Sequence, residues 1–442
     1  MNARHLALTV LLNIKQENAY SAQALDKAFL AHPLTPEDKG LVTEIVYGTL
    51  THEVLINHWL TPFYTGRVKT WVKLLLSLTV YQMAFLEKIP HYAAIHDAVE
   101  IAKARGGDFN AKVVNRILRL VTEATLDKTV ADIKEDVHRL AVRYSHPEWL
   151  IRLWIAQYGM EDTVLMLEVN NGRPPMVIRT NTNLTTVVDL IQDLKAEGVI
   201  VAPGNINPDA LIVIKGNAVD TKAFKEGLFY VQDEGSQLPA LALAPKVNGV
   251  VLDVCAAPGG KTLQLAQMVG DLGVVYAHDV YEHKISRMKE NAKRMGVANV
   301  EASVCSALDL HTRYEPETFD YILVDAPCTG LGVLRRHPEA KSVKKPEDLD
   351  EIMTIQKDIL AAVAPLLAPG GRMVYSTCTV NLKENQRQVE GFLKNHEDFV
   401  LDADYPARMP EVLRHHFKDG MLQLLPQHFN TDGFFVACLV KL

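Results

Sequence analysis

The chain of 442 residues is 48% apolar and 22% charged, which excludes a disordered, collagen-like or disulfide-stapled protein and supplies material for several cores. Its 46 Lys and Arg against 53 Asp and Glu give a net charge of −7, which excludes a uniformly basic nucleic-acid coat but not local basic patches. Cys255, Cys305, Cys328, Cys378 and Cys438 form no CxxC pair, a pattern expected of reduced thiols in a cytoplasmic protein.

Residues 1–140 read as an all-α bundle. Leu6, Val10, Leu11 and Ile14 recur at helical spacing with no small-residue cleavage site after them, so an amphipathic helix is expected there rather than a signal. The apolar run Leu74–Leu86 is too short to span a bilayer. Breaks fall at Pro33, Pro36, Pro62, Gly66, Pro90 and Gly106-Gly107. Tyr144-Ser145-His146-Pro147 reads as a linker into a small α+β module over 145–240. That module begins with a helix, EWLIRLWIAQYG, followed by a strand–helix–strand unit.

From 241 to 442 the pattern alternates. Strands are expected at 250–256, 273–280, 300–305, 319–327, 371–378 and 434–440, with helices such as Lys284–Met295 and Leu349–Leu367 between most of them. Apolar strands separated by helices predict a doubly wound parallel sheet of Rossmann-like α/β type. The whole chain is thus read as multi-domain: bundle, small module, α/β domain.

The α/β domain opens with VVLDVCAAPGGKT, a strand, a Pro-Gly-Gly turn and a helix start. Gly259 and Gly260 let backbone approach a ligand, and the N–H groups of the next helix face it. A plain strand–helix turn would read the same way. Asp279 ends the next strand, where a carboxylate can accept both hydroxyls of a ribose, although a solvated strand-end acid is the simpler alternative. The fourth strand ends in Asp325-Ala326-Pro327-Cys328, at the edge where such sheets bind ligands.

Cys328 and Cys378 follow two different strands and sit among polar and turn residues, whereas Cys438 lies mid-strand like a small buried hydrophobe. No His spacing accompanies the two thiols, so no metal is expected. A nucleotide-like cofactor, an aspartate and a thiol together suit methylation of cytosine at C5. That carbon becomes nucleophilic only after a thiolate adds to C6. An acid near N3 steadies the developing charge, and a second group helps the adduct eliminate.

At Cys255-Ala256-Ala257-Pro258-Gly259-Gly260-Lys261-Thr262, Asp325-Ala326-Pro327-Cys328, Ser376-Thr377-Cys378-Thr379 and Asp432-Gly433-Phe434-Phe435, the sequence resembles the bacterial small-subunit ribosomal RNA (cytosine-5) methyltransferase B family. The likeness covers nearly the whole chain. Residues 1–140 resemble the helical RNA-binding fold of the antitermination factor NusB, through Val46–Leu50 and Val114–Arg119, and the middle module resembles an RRM-like extension. The resemblance implies S-adenosylmethionine held by Cys255, Ala256, Ala257, Pro258, Gly259, Gly260, Lys261, Asp279 and Asp325. It implies Cys378 as nucleophile, Cys328 in adduct release and Asp325 at the cytosine ring. DNA cytosine methyltransferases use the Pro-Cys thiol instead, so spacing alone does not choose between the two sulfurs. Where relatives carry an acid near the adenine, this chain has Cys305-Ser306-Ala307, which leaves Ser306 or Asp309 for the exocyclic amine.

Two basic stretches stand against the acidic total. Lys103, Arg105, Lys112, Arg116 and Arg119 face only Asp108, a net of +4. Arg335, Arg336, His337, Lys341, Lys344 and Lys345 follow Cys328 and are expected to bind phosphate. The first stretch reads equally as a solvated helix face. The expected protein is a cytoplasmic monomer acting on 16S ribosomal RNA, with no membrane partner. A non-catalytic RNA adaptor is disfavoured because both thiols and Asp325 are present. An exocyclic-amine methyltransferase of the Asp-Pro-Pro-Tyr kind is disfavoured because Cys328 stands where such enzymes place an aromatic ring.

Overall fold

The computed structural model describes residues 2–17, 19–64, 66–121 and 129–442. Two compact units form: Met1–Arg173 with Leu334–Lys344, and Pro174–Val333 with Lys345–Leu442. Part of the expected helical run, 122–128, lies outside the described residues.

The first unit is helical. Ala3–Glu17, Ser21–Ala31, Pro36–Thr51, Glu53–Leu60, Thr70–Phe85 and His91–Leu120 follow one another, and the predicted Leu6, Val10, Leu11 and Ile14 stripe is buried against Ile45, Val46, Leu75, Leu76 and Val114. Pro36–Thr51 starts where its sequence dictates: Thr35 Oγ1 accepts the Asp38 amide at 3.2 Å, with Pro36 in the first turn and Glu37 and Asp38 beside the positive helix end. The expected break at Gly106-Gly107 is present: Gly107, at φ 75 and ψ −179, leaves the helical conformation and divides His91–Leu120 into two helices. Among the described residues no helix is long and apolar enough to cross a membrane.

Tyr144–Pro147 is packed rather than a solvated linker. Ser145 ends the helix Asp136–Tyr144 in left-handed conformation, its Oγ accepts the Leu55 amide at 3.0 Å, and His146 is fully buried. The helix Glu148–Asn171, grouped by sequence with the middle module, lies in the first unit.

The segment Leu334–Lys344 also belongs to that unit, and this corrects the expectation of a solvent-facing phosphate loop. Glu339 accepts from Ser21 N and Oγ at 3.1 and 2.9 Å, drawing the segment inward. Lys341 Nζ donates to Asn171 Oδ1 at 2.7 Å, and it and Arg335 are only 6% and 3% exposed. Arg336 is half-buried. Neither Arg335 nor Lys341 presents a cation to a phosphate, because both side chains are buried inside the unit.

The second unit begins with four short strands, β1 (Met176–Thr180), β2 (Ile200–Pro203), β3 (Ala210–Lys215) and β4 (Phe229–Val231), in the antiparallel order β2-β3-β1-β4. Leu190 and Leu194 of the helix Val187–Ala196 pack with Ile178, Leu211 and Phe229 in a small core of their own. Glu234, buried at the next helix, accepts the Asn205, Ile206 and Asn207 amides at 2.9, 2.7 and 3.0 Å. Buried Arg179 donates to Gln232 Oε1 at 2.9 Å and to Gln267 Oε1, joining the module to the α/β domain.

That domain carries β5 (Val250–Asp253), β6 (Val274–Asp279), β7 (Val300–Val304), β8 (Phe319–Asp325), β9 (Leu367–Thr377), β10 (Phe399–Leu401), β11 (Phe417–Lys418), β12 (Met421–Leu424) and β13 (Phe434–Lys441). Their order is β11-β12-β13-β9-β8-β5-β6-β7, with β10 on β13. The stretch from β9 to β7 is parallel as expected, but β13 pairs antiparallel with β9, so the sheet is mixed. Alternate residues bury opposite faces: Ile322 and Val324 lie against Ile359, Leu360 and Val363, while Leu323 and Val374 lie against Leu238, Leu265 and Val269.

Burial pulls the Lys341 ammonium down to about 7. The unfolded chain still binds this proton well above pH 7 and the folded chain does not, so the first unit gains stability as pH rises from about 7 toward the ordinary lysine value and is level below. Lys341→Met is expected to flatten that rise, read by urea unfolding of the full chain at neutral and alkaline pH.

Candidate active site

Three neighbouring strands end in carboxylates: Asp253 on β5, Asp279 on β6 and Asp325 on β8. Between them the chain turns through Ala257–Gly260 into the helix Gly260–Val269. Gly259 sits at φ +103, where a Cβ would lie 2.5 Å from Met288 Cγ; a Cβ on Gly260 would lie 3.0 Å from Tyr230 Cε1. Gly259 is therefore demanded by conformation and packing together, Gly260 by packing alone. Asp279 holds the turn open by accepting the Ala257 amide at 3.2 Å and the Tyr281 amide at 3.1 Å. Each of its oxygens keeps a lone pair for a further donor.

Asp325 is the hub of this edge. Lys261 Nζ, from the first turn of the helix, reaches its Oδ2 at 2.7 Å, and Ser376 Oγ donates to its Oδ1 at 2.8 Å. Burial alone would drag the Lys261 ammonium down, but the Asp325 charge and hydrogen bond, helped by Cys378 and Asp253, outweigh it and raise the proton affinity. The same ammonium lies 5.1 Å from the Phe434 ring centre.

The two thiols meet. Cys328 follows β8, Cys378 follows β9, and their Sγ atoms are 3.3 Å apart. Both are partly accessible. The hydrogen bond with Cys378, then burial, then the Cys378 and Glu384 charges push the Cys328 thiol up. These contacts favour the protonated form of Cys328. Cys255, by contrast, packs against the core, and burial followed by the charges of Asp253, Asp325 and Asp279 keeps it a protonated small apolar group. Ser306 caps the short helix after β7 by accepting the Leu308 amide at 3.2 Å, while Asp309 is exposed.

Two acids escaped the sequence reading. Asp253 is 1% exposed, accepts from Thr262 Oγ1 at 2.8 Å and leaves Oδ1 without a partner. Its signal was present, an acid as the last residue of an apolar strand. Glu384, fully buried, receives Thr329 N at 2.8 Å and Thr329 Oγ1 at 2.5 Å beside Cys328, and Thr379 Oγ1 at 3.3 Å beside Cys378. Nothing in the local sequence marks it.

Comparison with known proteins agrees with this architecture. Residues 240–440 match the model of the 16S rRNA methyltransferase RsmB/F family, 1–123 the NusB family, and 146–220 a ferredoxin-like domain of the same methyltransferases. A probable ribosomal RNA small subunit methyltransferase B of Bacillus subtilis (strain 168) is 41% identical over all of this chain and 99% of its own length. The chain belongs to the ribosomal RNA small subunit methyltransferase B family. A family member from Vibrio cholerae is 32% identical over 100% of this chain and 98% of its own. The crystal structure of the protein PH0851 superposes with a TM-score of 0.83 at 26% identity, covering 100% of this chain and 99% of that one.

In the family's NusB-like part, Lys103 and Arg105 before the Gly107 break and Lys112, Arg116 and Arg119 after it are all exposed. Arg119 Nε reaches Asn115 Oδ1 at 3.2 Å, and Lys103 pairs loosely with Asp108 at 3.7 Å.

Burial, and beyond it the charge of Asp325, raises the Asp253 carboxyl to about 7. An acid whose folded proton affinity is raised destabilises the fold increasingly as pH climbs from its ordinary value near 4 to about 7. Asp253→Asn is expected to remove that loss, so denaturant midpoints of variant and parent should draw apart across this window and run parallel above it.

Proposed function

We propose that the protein methylates C5 of a cytosine in 16S ribosomal RNA, using S-adenosylmethionine and a covalent Cys378–C6 adduct. The observation that carries the reading is the meeting of two sulfurs, from the ends of two strands, beside the Lys261–Asp325 pair. The carboxylates of Asp279 and Asp325 against one ammonium leave this rim negative, which fits a cofactor bearing a sulfonium and an amino group. Ala256–Gly260, Lys261, Asp279 and Asp325 are the residues assigned to hold it, with Cys255 packed behind the turn and Ser306 or Asp309 at the adenine. S-adenosylmethionine bound there supplies an electrophilic methyl group.

Cys378 gives up its thiol proton to solvent as its sulfur adds to C6, and the π electrons of the C5–C6 bond move into the ring, making C5 the nucleophile. Asp325, steadied by Ser376 and Lys261, orients the ring, and the neighbouring ammonium offsets the charge that grows toward N3. After C5 is methylated, Cys328 takes the C5 proton while its own thiol proton passes to Cys378, and the C6–S bond breaks. The target base has to leave its stack, since C6 is covered within a duplex.

Cys378→Ala is expected to abolish turnover, whereas Cys328→Ala should accumulate an SDS-resistant protein–RNA adduct. An active Cys378→Ala enzyme would reverse the roles. Bisulfite mapping of 16S ribosomal RNA from a strain lacking the gene should show one cytosine mark lost, and an unchanged map counts against the reading.

Arg116 and Arg119 are assigned to the RNA backbone. Arg116→Glu with Arg119→Glu is expected to weaken binding to unmodified 16S transcript. The slope of log affinity against log salt should fall by about 0.7–0.9 for each phosphate no longer neutralised. An unchanged slope would return this helix face to plain solvation.

A further inference from the structure

We propose that Glu384 is a positioning residue for Cys328, acting on release of the covalent adduct rather than on its formation. The inference rests on the thiol roles proposed above and concerns how the second sulfur is held.

The two thiols are anchored unequally. Cys378 directly follows β9, whose last residues pair with β13 on one side and, up to Ser376, with β8 on the other. Thr377 Oγ1 is tied to Asn385 Oδ1 at 2.6 Å, and Cys378 O accepts the Gly332 amide at 3.0 Å. Cys378 thus has a sheet behind it. Cys328 lies three residues beyond the last residue of β8, in a stretch with no regular structure. Backbone bonds reach this stretch at Ala326, whose amide donates to Ser376 O at 2.9 Å, and at Gly332, and between those two points side chains hold it.

Glu384 supplies them. Its carboxylate accepts both the amide and the hydroxyl of Thr329, the residue after Cys328, at 2.8 and 2.5 Å. The same group accepts from Gln356 Nε2 at 3.2 Å, and that amide also donates to Pro327 O at 3.0 Å, on the other side of Cys328. Asn381 Nδ2 at 3.2 Å and Thr379 Oγ1 at 3.3 Å complete the shell, and Thr329 and Thr379 hydroxyls touch at 3.0 Å. One buried carboxylate therefore clamps the chain on both sides of Cys328 through neutral donors, while its link to the Cys378 side is a single longer bond from Thr379 and one from Asn381. The charge of Glu384 also favours the protonated form of Cys328, the form the release step uses.

A glutamine in this place brings an N–H₂ group toward hydroxyl and amide donors that now have an acceptor. In Glu384→Gln, single-turnover methyl transfer to unmodified 16S transcript should stay near the parental rate. Multiple turnover should fall about tenfold, with SDS-resistant adduct accumulating. Adding Cys328→Ala should slow release no further than Cys328→Ala alone. Loss of single-turnover transfer without adduct would overturn the proposal.

Should Glu384→Gln fail to fold, Thr329→Val and Thr379→Val carry the test. Adduct is expected with the first and not the second, and equal behaviour sinks the idea. The two layers separate cleanly: if Cys328→Ala itself gives no adduct, the thiol roles are wrong. If it does and neither Glu384→Gln nor Thr329→Val follows it, only the positioning role is wrong.

Discussion

The site depends above all on the register of two parallel strands, β8 and β9, which sets Asp325 opposite Ser376. Because side chains alternate faces with a period of two, a slip of one residue would turn Asp325 away from Ser376 and carry Cys328 and Cys378 out of step. Fifty residues separate the two thiols in the chain, yet their sulfurs lie 3.3 Å apart. Ile322, Val324 and Tyr375 enforce that register from one face and Leu323 and Val374 from the other, so the hydrophobic effect does the aligning and chemistry inherits it.

Around this register the charges are arranged unevenly. Lys261 is shared among several acids but is held closely only by Asp325. Asp253, left with a threonine hydroxyl as its single hydrogen-bond partner, gives way by holding its proton more tightly. The outcome is a rim in which one acid is fixed as an ion-paired group and another titrates close to neutrality. Evenly shared pairing would have left neither property.

Much of this could be read from the sequence, and what could not has a physical cause. The strands β5 to β9 and β13 announce themselves through apolar runs, and Asp279, Asp325, Cys328 and Cys378 at or after the ends of three of them could be named because parallel sheets bind ligands at one edge. The antiparallel direction of β13 was hidden, since periodicity carries no information about direction. β2 and β4, at four and three residues, are too short to show alternation. The burial of Arg335 and Lys341 was hidden because a run of cations looks the same whether it faces phosphate or, like Lys341 on Asn171, turns inward. Glu384 was invisible for a related reason: its donors come from residues 329, 356, 379 and 381, and only folding gathers them.

The capture of Leu334–Lys344 by the helical unit has a bearing on how this polypeptide can be dissected. A fragment ending at Arg173 would retain the long helices of the bundle, lose the short one at Ala340–Val343, and be an incomplete object. Ser21 would lose the carboxylate that receives its amide and hydroxyl, and Asn171 the ammonium it accepts from. Sequence order and structural membership diverge here, and a boundary drawn along the gene cuts through a unit that the folded chain treats as whole.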